Sequence, residues 1–427
     1  MTTHVAAMLD AGAREDARRL RMLKLALLSE YFASEPILAD GYRRFSAVLD
    51  GHPANEVLDR GTTFFWKSVH VCCIEAVLAG GRFTAAANYL LRCAWDAYFD
   101  WIPDGWTLTL PPVDSAELVL PRLGLLIPSR GEPLVLTRRS ASTLEVQVGK
   151  RSIGIDLLHP DSLFVLPRFP IPGVPRAGLV LIKDASLFDE PYRDRLTPDI
   201  ENAAVLTELI GRSLALIRAA DPGLGTRMDG MVEWYFPIDS PDRMTHNSFS
   251  VRFLFGSLFL SAAYEDLRLA EAIVHEFHHN ELYLAQEAVQ FTKFHQDDIF
   301  YSPFRPDPRP LDGLLHALFV FTGVANFIAQ VEQLPEMADS VRGLRHRRQE
   351  VVNQLRLGLV QVPRERLTAA GEELIRLIEV DIARHETEVG SIGARMPEAL
   401  AAHLSHWHSV NVNYRHVVRL PSGVEAA

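Results

Sequence analysis

The chain has 427 residues, of which 48% are hydrophobic and 23% are charged, and it carries a formal net charge of -11. That composition is typical of a folded protein and excludes a disordered one. Its basic residues are scattered along the sequence, so a nucleic-acid partner is not expected, because phosphate binding depends on concentrated positive charge.

The first hundred residues predict helices. Alanine, leucine and arginine dominate residues 12–100, and apolar residues recur there at spacings of three and four. The segment from Met1 to Leu28 mixes acidic residues with arginine and lacks the apolar core of a signal peptide. The three cysteines form no Cys-x-x-Cys pair, which fits a reducing compartment. We therefore expect residues 1–104 to form the N-terminal helical region of a cytoplasmic protein.

The next region, residues 105–190, predicts a mostly antiparallel β structure. Its apolar runs are short and rich in residues that suit a pleated sheet, and prolines cluster between them. The predicted strands are Trp106–Leu110, Leu134–Leu136, Leu144–Val148 and Leu179–Ile182.

The remainder, residues 191–427, predicts a mostly helical region that begins with a helix over residues 197–219 and a few strands. The predicted strands are Met231–Phe236, Ser248–Phe255, which leads into a turn or bulge at Gly256, and Ser257–Leu260. Helical spacing then continues to about residue 405, apart from a proline-rich loop at residues 301–310. The most apolar stretch, residues 314–329, is shorter than the roughly 20 residues of a membrane span, so no membrane partner is expected.

A pair of histidines gives the clearest chemical signal. Residues 275–279 read HEFHH, within a stretch that has no proline or glycine and carries apolar residues at helical spacing. Because positions i and i+4 of a helix share one face, His275 and His279 can bind one divalent metal ion. Glu276 follows directly and can reach a metal-bound water. His278 is rotated away from the pair, and we expect it to be a surface histidine, with a supporting role behind the metal ligands as the alternative.

A metal site needs further ligands, and the known protease patterns do not supply a convincing one. The metzincin pattern fails because Leu282 and Ala285 stand where its glycine and its third histidine belong. A thermolysin-like site needs an acidic residue from farther along the chain. The nearest acids, Asp297 and Asp298 in a loop-like stretch and Glu287 on the same helix, are not convincing matches. Glu332 and Glu336 stay open as candidates.

The better candidate for the third ligand is His316, in an apolar segment that predicts a helix from Leu311. A buried imidazole there is costly unless it has a partner. A set of three histidines suits zinc and also iron. Arg305 and Arg309 come just before this helix, among prolines. Arginine binds carboxylates through two parallel hydrogen bonds, so either residue can hold an organic acid, although surface salt bridges are the other interpretation.

Residues 304–316, which read FRPDPRPLDGLLH, together with the HExxH segment resemble the bacterial HExxH-motif peptide-modification family, most clearly over about residues 228–330. Members of that family are understood as iron(II)- and 2-oxoglutarate-dependent peptide β-hydroxylases that act on ribosomally made, modified peptides. The resemblance implies an iron site with His275 and His279 as ligands. Other members can carry a histidine near the positions of Val320 and Phe321, and because this chain has none there, we place the third ligand at His316. The resemblance also implies a carboxylate clamp for 2-oxoglutarate, with Arg309 as first choice and Arg305 as second.

In that interpretation Glu276 orients water, substrate or a ligand, and the partner is a ribosomally made precursor peptide with a leader. The sheet edge at Ser248–Phe255 could bind an extended peptide by strand addition. One alternative is a zinc metallopeptidase with Glu276 as general base, and another is a non-catalytic chain that binds a leader peptide. The sequence indicates no oligomeric state.

Taken together, these patterns predict an α+β fold. It is mostly helical, with a central antiparallel β region at residues 105–190 and a metal site between two helices of a catalytic region at residues 191–427.

Overall fold

The computed structural model has an α+β fold that is mostly helical and contains antiparallel sheet, as the sequence predicts. Its described residues fall into two compact units. The β unit comprises described residues of Glu15–Glu208 and Val232–Ala262, and the helical unit comprises those of Leu209–Met231 and Ala263–Ala427. The described residues are 21–22, 24–25, 28, 36–54, 56–57, 65–67, 69, 72, 84–110, 117–129, 131–161, 165–181, 195–196, 200–239, 247–252, 254–261, 266–293, 299–390 and 396–422.

The β unit contains two long described helices that lie wholly within it and a set of short strands. The helices are α1 (Pro36–Asp50) and α2 (Thr84–Ala97). The strands are β1 (Thr107–Leu110), β2 (Glu117–Leu120), β3 (Leu125–Pro128), β4 (Leu134–Ser140), β5 (Thr143–Val148), β6 (Arg151–Asp156), β7 (Arg168–Ile171), β8 (Val174–Val180), β9 (Trp234–Pro237), β10 (Ser248–Phe249) and β11 (Ser257–Leu260).

A four-stranded sheet with the order β1-β4-β5-β6 is antiparallel throughout, and β2 and β3 form a separate antiparallel pair. Strand β5 has one buried face. Leu144, Val146 and Val148 are buried and the residues between them are not, which is the alternation of side chains expected of a strand. This part of the chain therefore confirms the predicted antiparallel β region.

A second sheet has the order β10-β11-β9-β8-β7 and is mixed rather than purely antiparallel. Strand β9 runs parallel to both of its neighbours, β8 and β11. The sequence led us to group β9 to β11 with residues 191–427. Strand β9 instead pairs with β8 of the preceding region, and β11 and β10 follow it in the same sheet. The domain boundaries at residues 104 and 190 stay a prediction.

The predicted strand Ser248–Phe255 is mostly wrong, because β10 ends at Phe249. The backbone turns shortly after it, where the amide of Leu254 donates to the carbonyl of Val251. The expected turn at Gly256 is confirmed by its φ of +76°, a backbone conformation that favours glycine.

The helical unit is built from long helices that pack along one another. Helix α3 (Ile200–Ala220) enters it at Leu209, and the other described helices are α4 (Pro222–Met231), α5 (Asp266–Ala288), α6 (Leu311–Val331), α7 (Val341–Leu359), α8 (Ala369–Val389) and α9 (Glu398–Val410). Helix α6 packs against α5, α7 and α8, and most of its side chains are buried in the core.

Helix α6 also corrects one expectation about length. It has 21 residues and contains an 18-residue stretch with a mean hydropathy of 1.7, so it is long and apolar enough to cross a membrane. Our estimate from residues 314–329 was too short, because the helix begins at Leu311 and ends at Val331. Since its neighbours bury most of this helix, we interpret it as the core helix of its unit.

Candidate functional site

Helix α5 carries His275 and His279 one turn apart, as the sequence predicts. Its first turn is fixed by Asp266, whose carboxylate accepts two hydrogen bonds from Arg212 at 2.8 and 3.0 Å. A carboxylate at this end also stabilises the helix dipole. The two imidazole rings lie 4.9 Å apart between centroids, and both are half-buried.

Helix α6 brings His316 against His279. Their Nδ1 atoms are 3.2 Å apart, although 37 residues separate the two histidines in the sequence. On its other side, His316 Nε2 lies 2.9 Å from Oε1 of Gln286, a residue of α5. Because that amide oxygen can only accept, Nε2 carries the proton of the neutral ring, and the lone pair of His316 is on Nδ1, towards His279.

The spacing of these two nitrogens fits ligation of one metal ion. Two nitrogens bound at ~2.0–2.1 Å lie roughly 2.9–3.4 Å apart for angles between octahedral and tetrahedral. The observed distance of 3.2 Å falls inside that interval. Over the described part of the chain, no group of three His, Cys, Asp or Glu side chains is arranged to hold a metal. The structure therefore brings His279 and His316 together and leaves His275 beside them.

The surroundings of His279 favour its neutral form. Burial lowers the pKa of His279 well below its usual range, and the nearby rings of His316 and His278 and the positive charges of Arg309 and Arg305 lower it further. Neutral imidazole is the form that binds metals.

The two arginines belong to a closed loop, residues 300–309, which we call the arginine loop. Phe300 and Arg309 exchange two backbone hydrogen bonds of 2.7 and 3.0 Å, which fix the loop just before α6. Arg305 and Arg309 both pair with Asp307, each at 3.1 Å. One carboxylate therefore serves two guanidinium groups, and the loop keeps an excess of positive charge.

Arg309 is the more enclosed of the two. Its side chain is 27% exposed, whereas that of Arg305 is 59% exposed. Burial lowers the pKa of Arg309, and the charge of Arg305 lowers it further, which outweighs the opposite effect of Asp307. A partly buried guanidinium with an excess of like charge nearby favours an anionic partner.

Two aromatic residues at the site, Tyr283 and Phe321, were not predicted. Tyr283, one turn beyond His279 on α5, has its ring centroid 4.7 Å from that of His316. Phe321 of α6 lies edge-on to His275 at 4.8 Å and stacks on Phe304 of the arginine loop at 4.2 Å. The spacing of residues 275, 279 and 283 was a signal that could have revealed Tyr283.

Glu276 is buried, with 2% of its surface exposed. Its backbone carbonyl accepts a hydrogen bond from the side chain of Asn280 at 3.0 Å. The role of its carboxylate in catalysis stays a prediction.

The expectation that His278 is a surface histidine is wrong, because its side chain is completely buried. Its Nδ1 lies 2.7 Å from a carboxylate oxygen of Glu281, which also accepts a hydrogen bond from Arg227 at 3.0 Å. On the other side, the ring fills the space that a side chain at Gly323 of α6 would need. The position of His278 around its own helix could not reveal its burial, because burial on that face of α5 comes from packing against α6.

None of the acidic candidates for a third ligand is seen at the histidine pair among the described residues. Glu332 accepts a hydrogen bond from Arg348 at 2.8 Å within a buried ion cluster. Glu336 is exposed in the short helix Pro335–Ser340. Asp297 and Asp298 lie outside the described residues.

Comparison with known proteins identifies no family for this chain. No protein-family model matches the chain, and a search of the curated proteins finds no match. Any function must therefore be argued from the geometry of the site together with the resemblance in its motif.

Proposed function

We propose that this chain is an iron(II)- and 2-oxoglutarate-dependent oxygenase that hydroxylates the β-carbon of a residue in a ribosomally made peptide. The observation that carries the proposal is the facing pair His279 and His316, with Nδ1 atoms 3.2 Å apart, next to a loop with two arginines and one shared carboxylate. Such a set offers neutral donors to a cation and positive charge to an organic acid.

His275, His279 and His316 are the residues that would hold the iron. When bound, iron supplies the redox chemistry that couples oxidation of the keto acid to hydroxylation of the peptide. The protein contributes the orientation of the donors. Gln286 fixes the proton of His316 on Nε2, so the lone pair stays on the nitrogen that faces His279.

Arg309 is our candidate for binding the distal carboxylate of 2-oxoglutarate. Its half-buried guanidinium is held at 3.1 Å by Asp307, and the two backbone bonds between Phe300 and Arg309 restrict the loop behind it. Arginine can bind a carboxylate through two parallel hydrogen bonds, which fixes the orientation of the acid as well as its position. Arg305, more exposed, adds charge that draws the anion in.

Aromatic rings beside the histidines would limit access of water. Phe321 contacts both the ring of His275 and that of Phe304 in the arginine loop, and Tyr283 lies against His316. Excluding water strengthens electrostatic interactions at a site and protects reactive groups from side reactions. These rings thus support an oxidative site more than an open hydrolytic one.

Purified protein should be incubated with iron(II), 2-oxoglutarate, dioxygen and the precursor peptide encoded by a neighbouring gene. We expect succinate and a peptide that has gained one oxygen atom, both dependent on the keto acid. The matched arm contains zinc without dioxygen or keto acid. Peptide cleavage in that arm, with Glu276 required and no succinate in the first arm, would contradict the proposal and favour the metallopeptidase.

A further inference from the structure

A groove between α7 and α9 of the helical unit is a candidate second site. Its volume is about 960 Å³. The lining residues of α7 recur at helical spacing and those of α9 come from its first turns, so one face of each helix forms a wall. The α7 wall runs from His346 to Gln354, about 12 Å at a rise of 1.5 Å per residue. About four residues of extended peptide would fit along that length.

The groove holds a buried side chain without a hydrogen-bond partner. Asn353 of α7 is 7% exposed, and its amide oxygen has no donor within reach among the described residues. A buried polar atom without a partner is destabilising, and native proteins keep few of them. A ligand that donates a hydrogen bond at this point would satisfy the amide.

The charges along the groove exclude a strongly charged ligand. Arg347 already contacts Glu271 at 2.5 Å, and it lies 3.4 Å from Glu350 in the same wall. His346 in turn lies 3.5 Å from Glu350, and Glu398 adds a second acid. With both signs present along the lining, the groove suits a neutral polar chain rather than a phosphate or a polyanion.

Two residues that line the groove also contact the arginine loop. Gln354, next to Asn353, donates to the carbonyl of Pro303 at 3.2 Å. His403 of α9 lies 3.0 Å from the hydroxyl of Tyr301. A chain bound in the groove would therefore contact the residues that hold the loop of Arg305 and Arg309.

We propose that this groove binds a segment of the peptide substrate, with the Asn353 side chain pairing with one backbone amide of the bound chain. A primary amide carries both a donor and an acceptor, so it can match both the C=O and the N–H of a peptide group. The site rests on the proposed function for the identity of the peptide as a substrate, but peptide binding itself needs neither iron nor oxidation.

The stability of one variant tests whether Asn353 is kept for binding. Asn353→Leu removes an unpaired buried amide, so we expect the melting temperature to rise by about 2–4 °C. Asn326→Leu is the matched control, since Asn326 bonds to Asp381 at 3.1 Å and to His385 at 2.8 Å and its loss should lower the melting temperature. A fall for Asn353→Leu like that of the control would mean a structural role and would overturn the proposal.

Binding is tested with a pool of random dodecapeptides displayed on phage and selected on the full-length protein. Enriched peptides are synthesised, and their dissociation constants are measured for the wild type and for Asn353→Leu by fluorescence polarisation. We expect at least roughly tenfold weaker binding to the variant, and protection of α7 and α9 from hydrogen exchange by the peptide. Equal affinity for both proteins, protection elsewhere or no enriched peptide would refute the site.

Discussion

Two polar clusters border helix α6, and they differ in how their charges are balanced. Near its end, Arg348 donates to Glu332 and Glu388, and Arg384 pairs with Asp381. Near its beginning, Arg305 and Arg309 share Asp307 near His279, whose pKa burial lowers. The first cluster, which we call the Arg348 cluster, satisfies its own charges, whereas the second leaves capacity for an anion and a cation. A cluster whose charges are all paired is typical of a structural network, whereas a cluster with an excess of one charge is a candidate binding site.

The largest effect should come from breaking the Arg348 cluster. Arg348→Met leaves Glu332 buried with its main partner removed, so we expect a loss of about 3 kcal/mol of unfolding free energy. Denaturant unfolding followed by circular dichroism measures it. Arg305→Met is the matched control, because its exposed ion pair should contribute less than about 1 kcal/mol. Equal losses for the two variants would remove the distinction between the clusters.

Sequence patterns predicted the helices at the site, because their periodicity is local. The helix carrying His275 and His279 and the one carrying His316 are both confirmed. The contacts of Gln286 and Tyr283 with His316 were not predicted, since they depend on how two helices pack. The parallel pairing of β9 with β8 was missed for the same reason: the partners lie far apart in the sequence.

The Arg348 cluster should also make stability depend on pH. Burial lowers the pKa of His385 to about 4, and the charges of Arg384 and Arg348 contribute. The unfolded chain takes up a proton near pH 6.5 while the folded chain stays neutral, so stability is full above that pH and is lost as the pH falls towards 4. We expect unfolding free energy to drop by about 2 kcal/mol between pH 7.5 and pH 5.

Denaturant titrations at both pH values measure this drop, and His385→Gln is the comparison. The variant should lose most of the dependence, because the titrating ring is gone. An unchanged dependence in His385→Gln would assign the effect to other groups and remove His385 from the account.

The spacing of α5 and α6 should depend on Gly323. A side chain there would overlap the ring of His278, which is buried and held by Glu281 at 2.7 Å. Gly323→Ala should therefore cost about 1–3 kcal/mol and weaken metal binding, because the same spacing sets the distance between His279 and His316. Gly343→Ala on α7 meets open space and should instead stabilise by about 0.5–1 kcal/mol. Similar results for both variants would refute this role of Gly323.

The smallest expected effect is on the binding of 2-oxoglutarate by Arg309, the proposed carboxylate clamp. Arg309→Lys keeps the charge but loses the two-pronged geometry, so we expect the dissociation constant of 2-oxoglutarate to rise roughly tenfold with little change in stability. Isothermal titration with the iron-loaded protein measures it. Arg305→Lys should have a weaker effect, since Arg305 is more exposed. A larger effect for Arg305→Lys would reverse the assignment of the two arginines.

The proposed function requires that His279 and His316 bind one iron ion together. Iron(II) is titrated without oxygen into metal-free protein that contains 2-oxoglutarate, and the visible charge-transfer absorption of the keto-acid chelate is followed. We expect one iron per chain for the wild type and for His346→Ala, an exposed control, with affinity lowered at least roughly tenfold in His279→Ala and His316→Ala. Wild-type affinity and absorption in His316→Ala would contradict the proposed function.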